Sequence, residues 1–267
     1  MKEFKKFWAF LKLSLLDRLE YRGDMIIYSF GSSFIPLMGL ALWSATSNLS
    51  KLPYNQLDLI AYFIAAIYIG IITEMWQSWF ISEDVLNSRL STYLLKPYPV
   101  IFRYMIENLG DKVFKITTVN LAMVVIFFIV PSSVWTRFHF DPLTISMFLL
   151  SVVLGYIIVF LFEVLIGLST VWFYDIGFLK SYMDLAYTLF AGRLIPLAFF
   201  PSFLSTLALF TPFRYTLSFP IEILLNKLTV SQLIQGFSIE IAWVIISLLL
   251  YQLVYRGFEK SYKGYGS

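Results

Sequence analysis

The sequence predicts an all-α polytopic membrane protein of six transmembrane helices, with both termini on the cytoplasmic side. Three observations carry that prediction. Of 267 residues, 59% are hydrophobic and only 14% are charged, against roughly 25% charged in a soluble domain. The apolar residues fall in runs long enough to cross a ~30 Å hydrocarbon core at ~1.5 Å per helical residue. The basic residues gather in alternate connections, as the positive-inside rule requires. No polar stretch is long enough to fold alone, so residues 1–267 are read as a single membrane domain.

The elements follow in order. In residues 1–24, Phe4, Phe7, Trp8, Leu11, Leu15 and Leu19 share a helical face, with Lys5, Lys6 and Lys12 off it. That is the pattern of an amphipathic helix lying in the headgroup layer, and the segment lacks the apolar core and cleavage site of a secretory signal. Span one runs from about Met25 to Ser44 and span two from about Leu59 to Ser82. A cytoplasmic loop, 83–112, separates them from span three, about Val113 to Val130, which Pro131 closes. The fourth apolar run, Leu143 to Phe173, exceeds a bilayer crossing and must tilt, kink or protrude, with Glu163 near its cytoplasmic end. Span five covers about Met183 to Phe200. Pro201, Pro212 and Pro220 then divide 201–226 into pieces too short to cross, predicting a re-entrant hairpin on the extracellular side. Span six runs from about Val230 to Tyr255. This topology puts fifteen of the twenty Lys and Arg residues inside, leaving Lys51, Arg137, Arg193, Arg214 and Lys227.

Composition excludes several chemistries. The chain has no Cys and one His, His139, so disulfides and thiol redox chemistry are absent and an ordinary zinc or haem site lacks its ligands. A formal charge of +3 gives no reason to invoke nucleic acid. No G-x-x-x-x-G-K-[ST] loop is present to hold ATP. Gly167-Leu168-Ser169-Thr170 resembles the nucleophile segment of an intramembrane serine protease, but His139 lies in an outer loop, so Ser169 reads as a packing residue.

Two groups of residues are candidates for function. In the first, Leu86, Leu90, Tyr93 and Leu94 share one face of a short helix that Glu83 and Asp84 would start and Pro97 would end. Such a helix serves either as a docking knob or as a lipid-bound loop. In the second, Glu74, Glu163, Arg193 and Glu240 lie within spans, where a charge costs several kcal/mol unless paired or hydrated. They either pair between helices or, in the case of Glu74 with Trp76 and Trp79, contribute to a path for amphipathic cations.

The run Ser88-Arg89-Leu90-Ser91-Thr92-Tyr93-Leu94-Leu95-Lys96-Pro97 resembles the loop of small six-span permeases of type-2 ATP-binding-cassette exporters. These often read Gly-basic-Leu followed by Tyr-Leu-Leu-basic-Pro; position 88 departs, with Ser in place of Gly. Pro212-Phe213-Arg214-Tyr215 with Phe219-Pro220-x-Glu222-Ile223-Leu224, the tail from Arg256 to Gly266, and Tyr21-Arg22-x-Asp24 are similar to the same family. The resemblance covers nearly the whole chain. It implies a prokaryotic plasma-membrane subunit that pairs with a second permease and docks a separate cytoplasmic ATPase, where ATP and Mg²⁺ bind. On this chain it implies no catalytic, cofactor or metal residue. Residues 84–97, with Asp84, Leu86, Arg89, Leu90, Tyr93, Leu94, Lys96 and Pro97, would be the coupling element, and Arg214 and Glu222 would lie at the outer gate. A secondary transporter and a membrane-embedded enzyme are the alternatives. No residue specifies the cargo.

Overall fold

The computed structural model describes residues 2–45, 53–96 and 98–262, and within these not the side chains of 2–6, 122 and 125. Among the described residues, five helical segments are long and apolar enough to cross a membrane: Arg22–Ser44, Gln56–Leu86, Val100–Ile129, Pro142–Val171 and Val230–Ser261. This is a multi-pass membrane protein.

Helix α1 (Lys2–Glu20) packs along the first half of α6 (Val100–Ile129). The expected stripe is rotated: Leu11 and Ser14 are buried, while Trp8 and Leu19 are exposed. The cause is Gly110, whose missing side chain lets Ser14 approach so closely that a Cβ there would sit 2.2 Å from the Ser14 hydroxyl oxygen. Helix α6 itself starts well before the expected span, at Val100. Its charged residues sit at helical spacing and pair internally, Arg103 with Glu107 at 2.7 Å and Lys115 with Asp111 at 3.0 Å, which keeps the polar half helical.

Helix α2 (Arg22–Ser44) buries a narrow face of Ser29, Ser32, Ser33, Pro36 and Gly39. The three hydroxyls donate to carbonyls one turn back, at 2.6–3.2 Å, so no polar group is orphaned. Small residues let α2 close on α3 (Gln56–Thr73), as close-packed membrane helices do.

The expected second span is not one helix. It stops at Thr73, runs extended at Glu74 (ψ 129°), and resumes as α4 (Gln77–Leu86). Helix α5 (Arg89–Leu94) follows after Ser88, and α7 (Ser132–Trp135) is a single turn outside α6.

Helix α8 (Pro142–Leu168) is the centre of the bundle, against α3, α4 and α13 (Val230–Ser261). Asp141 caps it by accepting the Thr144 N–H at 3.0 Å, which holds the Asp141 carboxyl below the usual carboxylate range. Gly167 lies where a Cβ would meet Ile81 at 2.6 Å, so this glycine seats α4 on α8. Neighbouring Ser169 donates to the Ile166 carbonyl at 2.6 Å, a local helix-end bond.

The expected fifth span, 183–200, is corrected. Helix α9 ends after Gly177–Phe190, about 21 Å at 1.5 Å per residue, and the chain turns at Gly192 (φ +83°). Three short helices follow, α10 (Ser202–Phe210), α11 (Phe213–Thr216) and α12 (Ser218–Leu224). This hairpin enters the bundle. Its tip meets Gly155 through the Tyr215 carbonyl and Trp243 through the Phe210 carbonyl, in each case about 20 Å along α8 or α13 from its start. It then returns to bond the His139 N–H through the Leu224 carbonyl.

Candidate functional site

The break between α3 and α4 is where the intramembrane charges meet. Two lysines take the carbonyls that the end of α3 leaves unpaired: Lys112 donates to the Glu74 carbonyl, and Lys180 to that of Met75 at 3.2 Å. At the start of α4, the Ser78 N–H donates to Glu163 at 3.0 Å. Cations thus lie at the negative end of α3 and a carboxylate at the positive end of α4, the arrangement helix dipoles favour. Lys180 also pairs with Glu163 at 2.5 Å and with Asp184 at 2.8 Å. Arg193, on the non-helical segment after α9, reaches the Glu74 carboxylate at 3.0 Å and the Ser32 carbonyl at 2.7 Å. Two interrupted segments therefore face each other across a cavity of about 190 Å³ lined by Glu74, Glu163, Lys180, Tyr187 and Arg193.

Of the charged residues expected within spans, Glu74, Glu163 and Arg193 converge here, and interhelical pairing accounts for all three. Trp76 edges the same cavity, whereas Trp79 faces a second one beside α1. Arg214 and Glu222 pair with each other at 2.6 Å in a separate cavity of about 410 Å³ near the start of α13. Glu240 stands apart, fully buried between α8 and α13, and accepts a hydrogen bond from Ser151 at 3.0 Å. Lys112, Lys180 and Asp184 were not candidates from sequence, because each reads there only as a loop or helix-end charge.

Helices α4 and α5 form an elbow at the end of the bundle that also holds α1 and the end of α13. Glu83 and Asp84 close α4 instead of opening a new helix. Asp84 is buried and accepts from the Tyr104 hydroxyl at 2.8 Å. Leu90, 2% exposed, points into the core beside Tyr104 and Phe258, and Leu86 is half-buried. Tyr93 is covered by the Arg103 guanidinium 3.5 Å from its ring, with the Lys96 ammonium at 5.2 Å. Ser91 and Tyr262 share a 2.9 Å hydrogen bond that ties α5 to α13. The outward face carries Arg89, Leu94 and Leu95; Leu95 is 88% exposed and was missed because it falls off the apolar face. Pro97 lies outside the described residues, as do Lys51 and the end of the tail from Lys263.

Ser88 takes a left-handed conformation, φ 57°. Such a backbone costs a residue with a side chain roughly 1–2 kcal/mol. Replacing Ser88 with Gly is expected to raise stability by about 1 kcal/mol, read as a higher unfolding midpoint in detergent.

A search of curated proteins gives no match. A family profile described as "ABC-2 family transporter protein" matches residues 30–266. That match takes in the broken helix, the elbow and the hairpin alike, and it assigns the chain to the membrane permease class that works with a cytoplasmic ABC ATPase. This protein belongs to the ABC-2 transporter family.

Proposed function

We propose that the chain is the gate-forming permease of an ATP-driven exporter, with both termini cytoplasmic and a second permease completing the path. Nucleotide and Mg²⁺ bind the partner ATPase. The observation that carries this reading is the construction of the α4–α5 elbow. It is anchored inward by Leu90 and Asp84, it presents Arg89, Leu95 and Lys96 outward, and α4 leads directly to the break at Glu74–Trp76.

Force applied at α5 is carried along α4, which is stiff, to a linker of three residues. There the Glu74 N–H closes α3 onto the Gly70 carbonyl at 2.7 Å while the Glu74 and Met75 carbonyls bond lysine side chains, so that no continuous helix resists bending. The polar pairs around that linker are the latch. Moving α4 separates Glu163 and Lys180 from their backbone partners and widens the cavity facing Arg193. The hairpin 201–226 forms the re-entrant outer closure, with Arg214 and Glu222 as its internal brace.

The test is a mild-detergent pull-down of the tagged chain. Wild type is expected to recover an ABC ATPase, and an Arg89→Glu/Leu95→Glu variant to insert normally but lose it. Equal recovery by both would remove α5 as the docking element, and no ATPase from wild type would remove the exporter reading. Leu90→Glu is a poor probe, since it places a charge in the core.

A further inference from the structure

Beside α1, and sharing Trp76 with the latch cavity, lies a second cavity of about 310 Å³ that the reading above does not use. Its wall is aromatic: Tyr28, Trp76 and Trp79 line it, and all three are substantially exposed at the bundle surface. Its floor is rich in hydrogen-bond donors. Gln77 is 2% exposed, yet its Nε2 has no hydrogen-bond partner. The Arg18 Nε is likewise without one, its nearest carboxylate in the cavity, Asp111, standing 4.0 Å away.

Asp111 is already neutralised by Lys115 at 3.0 Å. Two further acids approach Arg18 from outside the cavity, Asp17 at 3.6 Å on the exposed side of α1 and Glu107, which is paired with Arg103 at 2.7 Å. Among the residues that line the cavity, Arg18 and Lys115 outnumber the single acid Asp111, so one end has unused donors and one cation in excess, and the other has aromatic surface open to lipid. Its depth fits a lipid head. Arg22 begins α2 beside Arg18, and Tyr28 is about 9 Å further along the helix, which is the passage from headgroups to acyl chains.

We propose that this cavity binds an anionic phospholipid, its phosphate held by Arg18 and the Gln77 amide and its acyl chains lying along Tyr28, Trp76 and Trp79. Charge selects the anionic head, and the aromatic wall distinguishes a lipid from a free phosphate. Occupancy would fix α1 and α4 together at the base of the elbow. Binding is measured on the chain alone, so it stands or falls apart from the exporter reading.

The experiment is native mass spectrometry of the purified chain offered equal amounts of phosphatidylglycerol and phosphatidylcholine with identical acyl chains. Wild type is expected to retain phosphatidylglycerol preferentially. Arg18→Gln should reduce that preference about tenfold, the scale of one charge-assisted hydrogen bond. Gln77→Leu, which keeps every charge and nearly the same volume, should reduce it less but measurably. As a second readout, brominated phosphatidylglycerol should quench tryptophan fluorescence more in wild type than in Trp79→Phe. Equal retention of the two lipids by wild type, displacement of the lipid by millimolar inorganic phosphate, or a preference untouched by both variants would overturn the proposal.

Discussion

Exchange of Arg193 for glutamine is expected to destabilise the folded chain by about 3–5 kcal/mol, because it strands a carboxylate inside the bundle. Arg193 is the residue that reaches the Glu74 side chain, at 3.0 Å, and the same guanidinium holds the Ser32 carbonyl of α2 at 2.7 Å. Losing it removes the cation in contact with both and leaves the carboxylate only the weaker pull of Lys115 and Lys112. For a chain of this length the loss corresponds to a fall in the unfolding midpoint on the order of 10 °C. The double variant Glu74→Gln/Arg193→Gln should recover most of that fall, since neutral amides carry no stranded charge. A single variant as stable as wild type would show that the pair does not hold the break closed.

The second large effect is expected at Gly192. Its φ of +83° is open to glycine and costly for any L side chain, and a Cβ there would stand 2.2 Å from the Ser218 hydroxyl oxygen and 2.5 Å from that of Tyr62. Those two hydroxyls are 2.9 Å apart, Tyr62 donates to the Gly192 carbonyl at 2.9 Å, and Ser218 donates to the Ala191 carbonyl at 2.6 Å. This knot joins α3, the turn after α9 and the start of α12. Gly192→Ala must strain the backbone and push the hairpin off α3, a cost of about 2–5 kcal/mol from conformation and overpacking together. Limited proteolysis should then cut within 201–226 faster than in wild type. Unchanged midpoint and cleavage would mean that the hairpin does not depend on this contact.

The parts of the fold legible in the sequence are those written in local patterns. Apolar length gives α2, α8 and α13, and the prolines between 201 and 220 announce short pieces instead of a crossing. The break in the second span was not legible, since Thr73-Glu74-Met75-Trp76-Gln77 contains neither Gly nor Pro. Lysines and a glutamate from α6, α8 and α9 create it by satisfying the exposed helix ends, a tertiary cause with no local signature. The early end of α9 has a similar origin, in the polar contacts of Gly192 and Arg193. At the elbow, the family-like run marks the segment that folds as α5 but not its orientation. An apolar face of Leu86, Leu90, Tyr93 and Leu94 is as consistent with facing the bundle as with facing a partner, and only packing decides that Leu90 turns inward and Leu95 outward.

In the proposed mechanism the Glu74–Trp76 linker is the hinge through which an ATPase opens the permease. Met75 sits in that linker at 3% exposure, and the chain has no native cysteine, so Met75→Cys is the single thiol on this chain and its labelling is read on the isolated permease band. The direct measurement is the rate of maleimide labelling at this position in the assembled complex with its ATPase, with nucleotide absent and with ATP trapped. Labelling is expected to be several-fold faster in the trapped state, as α4 swings and the latch parts. Slow labelling that is the same in both states, in a complex that hydrolyses ATP, would contradict it.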